Sequence, residues 1–389
     1  MVELKLMRDR AGSFVRQRED YVAFIPRTLP PEPPLNIDVE MIDLLSQADR
    51  SLGRLDGITQ TLPNPDLFVA MYVKKEAVLS SQIEGTQASL IDVLDVDETK
   101  DKSKEKPIEE VVNYVKAMNH GLIRLEELPI CLQLIKEIHQ VLLQGVRGGE
   151  RDPGEFRRSQ NWIGPAGCTL AKATFVPPPV PEMIKAMNDL EKFIHDKELR
   201  IPALIKIGLI HAQFETIHPF LNGNGRVGRL LITFWLCYKE ILSKPLLYLS
   251  YYFKKNRTEY YDRLMDIRLK GDWESWIRFF LKGIAQVSDE SIVTAKKILK
   301  LKEEHSQLIN SQTRNPSNGL KLLERLFEQP IVTINKVADM VGISYPTANN
   351  LVGEFTELGL MRQVDQNQRN KRFSYYDYVQ LLQEGTELI

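Results

Sequence analysis

The residues best suited to chemistry lie in one segment, HAQFETIHPFLNGNGRVGRLLITFWL, at positions 211–236. A glycine-rich turn at 223–228 separates two stretches with helical apolar spacing, and small residues before a helix amino terminus let backbone N–H groups converge on an anion. Arg226 and Arg229 lie three residues apart on one side of the second helix, so both can reach the mouth of the turn. Two guanidiniums beside a cluster of amides indicate a polyphosphate-binding site.

His218 stands at the entrance to this turn, immediately before Pro219. A neutral imidazole next to bound phosphates can take a proton from an incoming hydroxyl, so the pattern predicts nucleotide binding with activation of a nucleophile. Two other interpretations stay open: a structural histidine, and a zinc site formed by His211, Glu215 and His218 on one helical face. The zinc site is the weaker of these, because Pro219 ends the helix and no fourth ligand is evident.

Most of the chain shows the apolar spacing of amphipathic helices. Helices are predicted over residues 39–58, 67–79, 108–126, 128–143, 180–196, 200–217, 226–240, 257–269 and 272–286. Between them, the short runs WIG and TFV predict a β-hairpin around residues 162–176. The charged run 98–106 is predicted to be a solvated loop, with Pro107 at the start of the next helix.

The pattern changes near residue 317, where a helix is followed by a helix–turn–helix and by two predicted strands, LMRQV and RFSYY, around a polar turn. This is the order of elements in a winged helix-turn-helix domain. We therefore predict a mainly α-helical fold in four parts. These are an amino-terminal helical region (1–100), a core domain (107–286), a helical connector (287–316) and a winged helix-turn-helix domain (317–389).

The charge of the chain argues against a dedicated polyanion binder, because 51 Lys and Arg are balanced by 52 Asp and Glu, for a net charge of −1. The predicted recognition helix, 344–358, offers Tyr345, Thr347, Asn349 and Asn350, and the wing offers Arg369, Lys371 and Arg372. Residues 317–389 nonetheless hold seven basic and nine acidic side chains. DNA binding is therefore disfavoured, and a protein-contact role is favoured.

The chain is expected to be soluble and cytoplasmic. Its amino terminus lacks the apolar stretch of a signal peptide, and its longest apolar run, residues 230–238, is well short of the ~20 residues that a membrane span needs. The three cysteines lie far apart, in no CxxC pair, which favours free thiols in a reducing compartment.

The segment HPFLNGNGRVGR, residues 218–229, closely resembles the signature HPFx(D/E)GNGRxxR of the Fic (filamentation induced by cAMP) family. Other stretches are similar to the family as well: EEVVNYVKA at 109–117, GEFRRSQNWIG at 154–164 and YYDRLMDIRLKGDWESWIRFFLKG at 260–283. The resemblance covers nearly the whole chain and implies a Fic-type helical core with a β-hairpin flap. It also implies protein AMPylation, the transfer of AMP from ATP to a Tyr, Ser or Thr hydroxyl of a target protein with release of pyrophosphate. Fic proteins of this size are often dimers, so a homodimer is expected.

The resemblance also implies roles within the signature. His218 would be the general base that deprotonates the target side chain, Arg226 would hold the phosphates, and Arg229 would reach the γ-phosphate. Phe220 would anchor the loop in the core. The expected nucleotide-binding residues, which include an anion hole at 223–225, are Glu84, His218, Gly223, Asn224, Gly225, Arg226, Val227, Gly228, Arg229 and Tyr261.

Two further roles are implied outside the signature. Tyr261 would line the adenine pocket, with an ordinary core aromatic as an equal alternative. Thr174, Phe175 and Val176, on the edge strand of the flap, would align the target segment by β-augmentation.

Position 222 departs from the signature, because the family has Asp or Glu there to bind the Mg²⁺ that bridges the phosphates, whereas this chain has Asn222. A neutral amide oxygen attracts a hard divalent cation less strongly, so Asn222 is expected to be a weak Mg²⁺ ligand. Weakened transfer is expected, and a nucleotide-binding pseudoenzyme is the alternative.

A regulatory motif precedes the core. The run SSQIEG, residues 80–85, fits the family's inhibitory pattern (S/T)xxxE(G/N). Glu84 would pair with Arg229 and keep the γ-phosphate from seating productively, because a carboxylate and a phosphate compete for the same guanidinium. In some relatives the equivalent glutamate positions a water for removal of AMP, so reversal of the modification is also open.

Overall fold

The computed structural model describes residues 9–60, 65–95, 102–165, 167–364 and 371–387. Fifteen α-helices lie within those ranges: α1 (Val39–Gln60), α2 (Pro65–Ile83), α3 (Leu90–Leu94), α4 (Lys102–Arg124), α5 (Leu132–Leu142), α6 (Val180–His195), α7 (Ala203–Ile217), α8 (Asn224–Tyr238), α9 (Ser250–Lys255), α10 (Arg257–Lys270), α11 (Trp273–Gln312), α12 (Pro316–Glu328), α13 (Ile334–Val341), α14 (Tyr345–Glu357) and α15 (Tyr376–Gln383). Five short strands accompany them: β1 (Gly12–Arg16), β2 (Val22–Pro26), β3 (Ile331–Thr333), β4 (Arg362–Gln363) and β5 (Arg372–Ser374). The mainly helical fold expected from the sequence is confirmed.

Helices α7 and α8 form the centre of the core. α7 is apolar on nearly every side, as is typical of a helix surrounded by others, and it is buried from Leu204 to Ile217. α7 packs against α6, α8 and α11, while α8 also packs against α4. The turn between α7 and α8 therefore rests on a rigid support, with the predicted chemistry at its tip.

The amino-terminal region supplies a two-stranded antiparallel sheet that the sequence did not predict. β1 pairs with β2 over the whole length of both strands. Phe24 of β2 is fully buried, and its backbone N–H donates to Val176 O at 2.9 Å. The region expected to be helical thus begins with a hairpin that lies against the predicted flap.

Two local predictions need correction. Residues 102–106 belong to α4 rather than to a loop, so Pro107 lies inside the helix instead of at its start, while residues 98–101 lie outside the described residues. Lys and Glu have good helix propensity, which offsets the one backbone hydrogen bond that a proline removes. The hairpin predicted at 162–176 is reduced to a single antiparallel bridge between Ile163 and Phe175, because a glycine and a proline follow Ile163 directly.

The predicted connector is mostly the second half of α11, an unbroken helix of 40 residues that crosses the boundary expected at residue 286. Its first part packs within the core, and it runs along α1. Within the described ranges, no helix has both the length and the apolar character needed to cross a membrane.

In the carboxy-terminal domain, the predicted helices and strands correspond to α12, α13, α14, β4 and β5, while β3 was not predicted. The three strands form an antiparallel sheet in the order β3-β5-β4. The predicted recognition helix corresponds to α14, with Ser344 as its N-cap. An additional helix, α15, begins where the second strand was expected to end, and its Tyr378 packs edge-on against Phe327. Arg369 of the predicted wing lies outside the described residues.

Candidate active site

The turn between α7 and α8 is held in a fixed shape. α7 ends at Ile217. The next residue, His218, adopts the left-handed conformation with a φ of 50°, and its N–H donates to Phe214 O at 2.9 Å. Gly223, with a φ of 78°, is the N-cap of α8. Asn224 closes the turn, since its Oδ1 accepts from the Phe220 N–H and its Nδ2 donates to Phe220 O, both at 2.8 Å. A non-glycine residue in the left-handed region is strained, so the surrounding structure must hold His218 in place.

Phe220 anchors the turn in the core, as the resemblance implied. It is fully buried, and its ring stacks on that of His139 with centroids 3.7 Å apart. His139 also bridges two loops: its Nε2 bonds to Asn222 O at 3.1 Å, and its Nδ1 accepts from the Gly154 N–H at 2.8 Å. Burial lowers the pKa of His139 to about 4, so the ring is neutral near pH 7 and serves as a fixed support.

Two residues without a predicted role hold the carbonyl groups of the turn. Arg157 is buried, its Nε donates to His218 O at 3.0 Å, and its backbone N–H donates to Pro219 O at 2.9 Å. Asn161 Nδ2 donates to Phe220 O at 2.9 Å and to His218 O at 3.3 Å. Both residues lie in the stretch GEFRRSQNWIG, so the likeness of that stretch to the family was the signal available in the sequence.

The amino end of α8 has the geometry that anion binding requires. The first N–H groups of a helix have no intrahelical acceptor, and here the first to bond back is that of Val227, to Gly223 O at 3.0 Å. The Gly223 N–H itself donates to Asn222 Oδ1 at 2.7 Å. The Val227 side chain lies in the core, and a Cβ at Gly228 would fall 2.5 Å from Glu215 Oε1. The side-chain positions of 227 and 228 therefore face the protein interior.

Arg226 is a buried cation with unused donors. It is only 1% exposed, and neither its Nε nor its Nη1 has a hydrogen-bond partner in the described part of the chain. Its nearest carboxylate is that of Glu110, which lies 3.6 Å from Nη1. Burial lowers the pKa of Arg226, and the charges of Glu110 and Glu84 partly offset that effect. Buried N–H groups without acceptors are costly, and oxygen atoms of a phosphate would satisfy them.

Arg229 is occupied by the predicted inhibitory motif. Its Nη2 donates to Glu84 Oε1 at 2.8 Å and to Ser80 O at 3.0 Å, and its Nε donates to Ser80 Oγ at 2.8 Å. The Glu84 carboxylate lies over Gly225, where a Cβ would fall 2.2 Å from Oε1. Burial would raise the pKa of Glu84, but the Arg229 guanidinium outweighs it and lowers that pKa below its ordinary value. The motif and the signature thus meet in one ion pair.

His218 is in the protonation state that a general base needs. Its Nδ1 is buried and has no hydrogen-bond partner among the described residues. Burial, assisted by the positive charges of Arg268 and Arg157, lowers the pKa of His218 to about 4. The imidazole is therefore neutral near pH 7 and can accept a proton.

The zinc interpretation does not fit the contacts of His211. Its Nδ1 bonds to Gly228 O and its Nε2 to Tyr260 Oη, both at 2.9 Å, so neither nitrogen is available to a metal. Tyr260 is buried, whereas its neighbour Tyr261 is 40% exposed and lies near Arg257, whose guanidinium is 5.8 Å from the ring centroid. Partial exposure leaves part of the Tyr261 ring accessible to a ligand.

The predicted docking strand is partly engaged by the protein itself. The N–H groups of Thr174 and Phe175 both donate to Ile163 O, at 2.8 and 3.0 Å. Phe175 is buried beneath the Arg268 guanidinium, which lies 3.9 Å from its ring centroid. Because Val176 O accepts from β2, that carbonyl group already has a partner within the chain, and Thr174 is the exposed residue of the three.

The donor set at position 222 does not fit a tightly held Mg²⁺. Asn222 offers one neutral oxygen, and that oxygen already accepts from the Gly223 N–H at 2.7 Å. Among the described residues, no group of three or more His, Cys, Asp or Glu side chains could hold a metal ion. A divalent cation prefers charged oxygen ligands, and Asn222 does not supply one.

Comparison with known proteins finds two family models that match this chain. The model of the Fic/DOC family N-terminal region matches residues 42–123, and that of the Fic/DOC family matches residues 129–236. A protein adenylyltransferase Fic of Aedes aegypti is 30% identical over 51% of this chain and 37% of its own length. A probable protein adenylyltransferase of Aquifex aeolicus is 27% identical over 42% of this chain and 48% of its own length. The chain thus spans less than half of each of these two relatives.

Solved structures support the fold. A Fic family protein from Desulfovibrio desulfuricans superimposes with a TM-score of 0.58 at 20% identity, covering 88% of this chain and 98% of that one. A Fic-domain signalling protein from Bacteroides thetaiotaomicron superimposes with a TM-score of 0.50 at 19% identity, covering 67% of this chain and 97% of that one. The first family match contains Glu84, and the second contains Arg229. The chain therefore contains a stretch that matches the Fic/DOC family N-terminal region, residues 42–123, and a stretch that matches the Fic/DOC family, residues 129–236.

Proposed function

We propose that the protein is an adenylyltransferase that moves AMP from ATP to a hydroxyl side chain of a target protein. The observation that carries this proposal is the buried Arg226, whose unused N–H groups lie at the same turn as the neutral His218. An anion-binding helix end, a guanidinium whose Nε and Nη1 have no hydrogen-bond partner among the described residues, and a neutral base together suit phosphoryl-group chemistry at a bound nucleotide. The adenylyltransferase names of the curated relatives support the choice of AMP as the group transferred.

The residues of the turn can carry out each part of the transfer step. His218 accepts the proton of the target hydroxyl, and the resulting oxygen attacks the α-phosphorus of ATP. The bond from the α-phosphorus to the bridging oxygen of the β-phosphate breaks, and pyrophosphate leaves with that electron pair. Arg226 and the amides of α8 stabilise the negative charge that develops on the phosphate oxygens.

We further propose that the observed pairing of Glu84 with Arg229 is an inhibited state. With Glu84 in place, Arg229 donates to a carboxylate and cannot donate fully to the γ-phosphate of an incoming ATP. The same carboxylate lies above the amino end of α8, where it could also orient a water for removal of AMP. Release of Glu84 is then the step that makes the site competent for transfer.

Labelled nucleotides test the proposal directly. The Glu84→Gly variant, incubated with ATP labelled at the α-phosphate, is expected to incorporate label into itself or into proteins of a cell extract, with pyrophosphate released. The matched control is Glu84→Gly with His218→Ala, which keeps the nucleotide site but lacks the base. ATP labelled at the γ-phosphate should label nothing. Nucleotide binding without incorporation in Glu84→Gly would instead identify a pseudoenzyme.

A further inference from the structure

The carboxy-terminal segment of residues 384–387 contacts the inhibitory motif through one side chain, that of Gln82. The Gln82 Nε2 donates to Thr386 O at 3.0 Å and to Ala88 O at 2.9 Å. Its Oε1 accepts from Lys254 Nζ at 2.7 Å, and the same ammonium donates to Glu387 O. Every polar atom of the Gln82 side chain is therefore bonded, and two of its partners belong to or hold the carboxy-terminal segment.

This contact is packed rather than superficial. Thr386 is 2% exposed and Lys254 is 7% exposed, although both lie far from Gln82 in sequence. Gly385, with a φ of 82°, lies against Tyr251 so closely that a Cβ at residue 385 would fall 2.1 Å from the tyrosine ring. The segment is thus seated in a site that admits only glycine at this position.

Gln82 lies at the base of the turn that carries Glu84. α2 ends at Ile83, the Gly85 N–H donates to Gln82 O at 3.0 Å, and the Glu84 N–H donates to Ser81 O at 3.1 Å. The backbone of residues 81–86 is a tight turn, so a displacement of Gln82 moves the Glu84 carboxylate relative to Arg229. The side chain that could restrain such a displacement is the one tied to the carboxy-terminal segment.

A second contact joins the same two regions. Arg372 of β5 forms an ion pair with Asp95, which follows α3 directly. α15 also packs against α3. Both ends of residues 82–95 are therefore held by the carboxy-terminal domain.

We propose that Gln82 is a positioning residue, which holds Glu84 in its inhibitory place only while residues 384–387 are docked on it. The carboxy-terminal domain then stabilises the inhibited state, and undocking of its last residues releases the site. The effect on activity rests on the proposed adenylyltransferase function, whereas the link between the docking of residues 384–387 and the position of Glu84 does not.

This link is tested by a substitution that disturbs the carboxy-terminal segment and leaves the residues of the inhibitory motif unchanged. Gly385→Ala places a methyl group 2.1 Å from the Tyr251 ring, so the two must move apart and the packing of the segment on Tyr251 is lost. Gly359→Ala is the matched control, because Gly359 lies in the same domain with a similar φ of 77° and has open space around it. Amide hydrogen exchange at Glu84, Gly85 and Thr86 is expected to quicken about fivefold in Gly385→Ala, the loss expected for about one hydrogen bond, and to stay unchanged in Gly359→Ala. Unchanged exchange in both variants would overturn the proposal.

AMP incorporation separates a positioning role from a general structural one. Gly385→Ala and Gln82→Ala are each expected to raise incorporation about fivefold when Glu84 is present, and to add nothing in the Glu84→Gly background. Equal gains in both backgrounds would show that the segment acts independently of Glu84 and would overturn the proposal. If Glu84→Gly transfers no label at all, the adenylyltransferase function fails, and the exchange measurement still decides the role of Gln82.

Discussion

Glu84 Oε1 accepts a 2.8 Å hydrogen bond from Arg229 Nη2 across 145 residues of chain, and it does so directly above Gly225. The pair is asymmetric: the Arg229 side chain is 2% exposed and the Glu84 side chain 32%. A partly exposed carboxylate can leave the pair, whereas the buried guanidinium cannot follow it. The pair is thus arranged so that Glu84, and not Arg229, is the partner that is able to move.

This asymmetry predicts a nucleotide-selective effect of Glu84→Gly. Loss of the competing carboxylate should tighten ATP binding about tenfold, the effect of one charge-assisted hydrogen bond discounted for partial exposure. AMP has no γ-phosphate, so its affinity should change little and serves as the control ligand. Titration calorimetry with both nucleotides measures the difference. An equal gain for AMP would contradict competition for Arg229.

Asn222→Asp should introduce a dependence on Mg²⁺. Aspartate has nearly the same shape as asparagine and can keep the contact with the Gly223 N–H, while it adds the charge that a divalent cation favours. In the Glu84→Gly background, labelling from ATP should rise with added Mg²⁺ by about tenfold in the Asp variant and less with Asn222 retained. The same titration with Asn222→Ala controls for loss of the side chain. No gain with Asp would count against the proposed weakness of the native site.

The His218 imidazole should remain neutral at pH values well below the ordinary pKa of histidine. Because burial lowers its pKa to about 4, the ring is expected to stay unprotonated down to about pH 5. Nitrogen chemical shifts of ring-labelled histidine report this directly, and the signal that disappears in His218→Ala provides the assignment. Titration near pH 6.5 would show that the ring is not buried as described.

Glu215 should make the stability of the protein depend on pH. Its Oε1 is buried without a hydrogen-bond partner in the described residues, and burial raises its pKa from 4.5 to about 7. A carboxyl group with a raised folded-state pKa stabilises the fold fully below 4.5, and that contribution is lost as the pH rises through 7. Relative to the parent chain, Glu215→Gln should therefore gain about 2 kcal/mol in free energy of unfolding between pH 5 and pH 8.

Urea unfolding of both chains at the two pH values measures this gain. Glu126→Gln is the control, since it makes the same substitution at an exposed glutamate. If the free energy of unfolding of Glu215→Gln differs from that of the parent chain by the same amount at both pH values, the carboxyl group does not change its charge over this range.

The carboxy-terminal domain is expected not to bind duplex DNA. Its residues 317–389 carry more acidic than basic side chains, and Arg372 is already paired with Asp95. Without a basic excess, little affinity comes from the release of counterions. Mobility-shift measurements at about 50 mM salt, with random and promoter-derived duplexes, should show no complex. A complex that weakens steeply with salt would restore DNA binding as a function.

The sequence was informative where chemistry follows from local order. The helix that ends just before His218, the glycine-rich turn and the two arginines at 226 and 229 follow one another in the chain, so periodicity and turn chemistry predict them together. The pairing of Glu84 with Arg229 was available only through resemblance to the family, because no local rule brings residues so distant in sequence together.

The parts that escaped prediction depend on tertiary contacts to backbone atoms. Arg157 and Asn161 donate hydrogen bonds to carbonyl groups of the turn, and the positions of backbone carbonyl groups cannot be inferred from residue types. The contact of Gln82 with Thr386 is likewise made to a backbone oxygen. The β1–β2 hairpin was missed because its flanking residues are polar and its strands are short.

The unbroken course of α11 limits how the two ends of the molecule can move. At 1.5 Å per residue, its 40 residues extend for about 60 Å without a proline, and the same helix that packs in the core also packs against α12 and α15. Such a rod has no hinge at which a domain could swing freely. Motion of the carboxy-terminal domain relative to the core then falls to residues 313–315, between α11 and α12, and to the contacts that residues 384–387 make with Gln82 and Lys254.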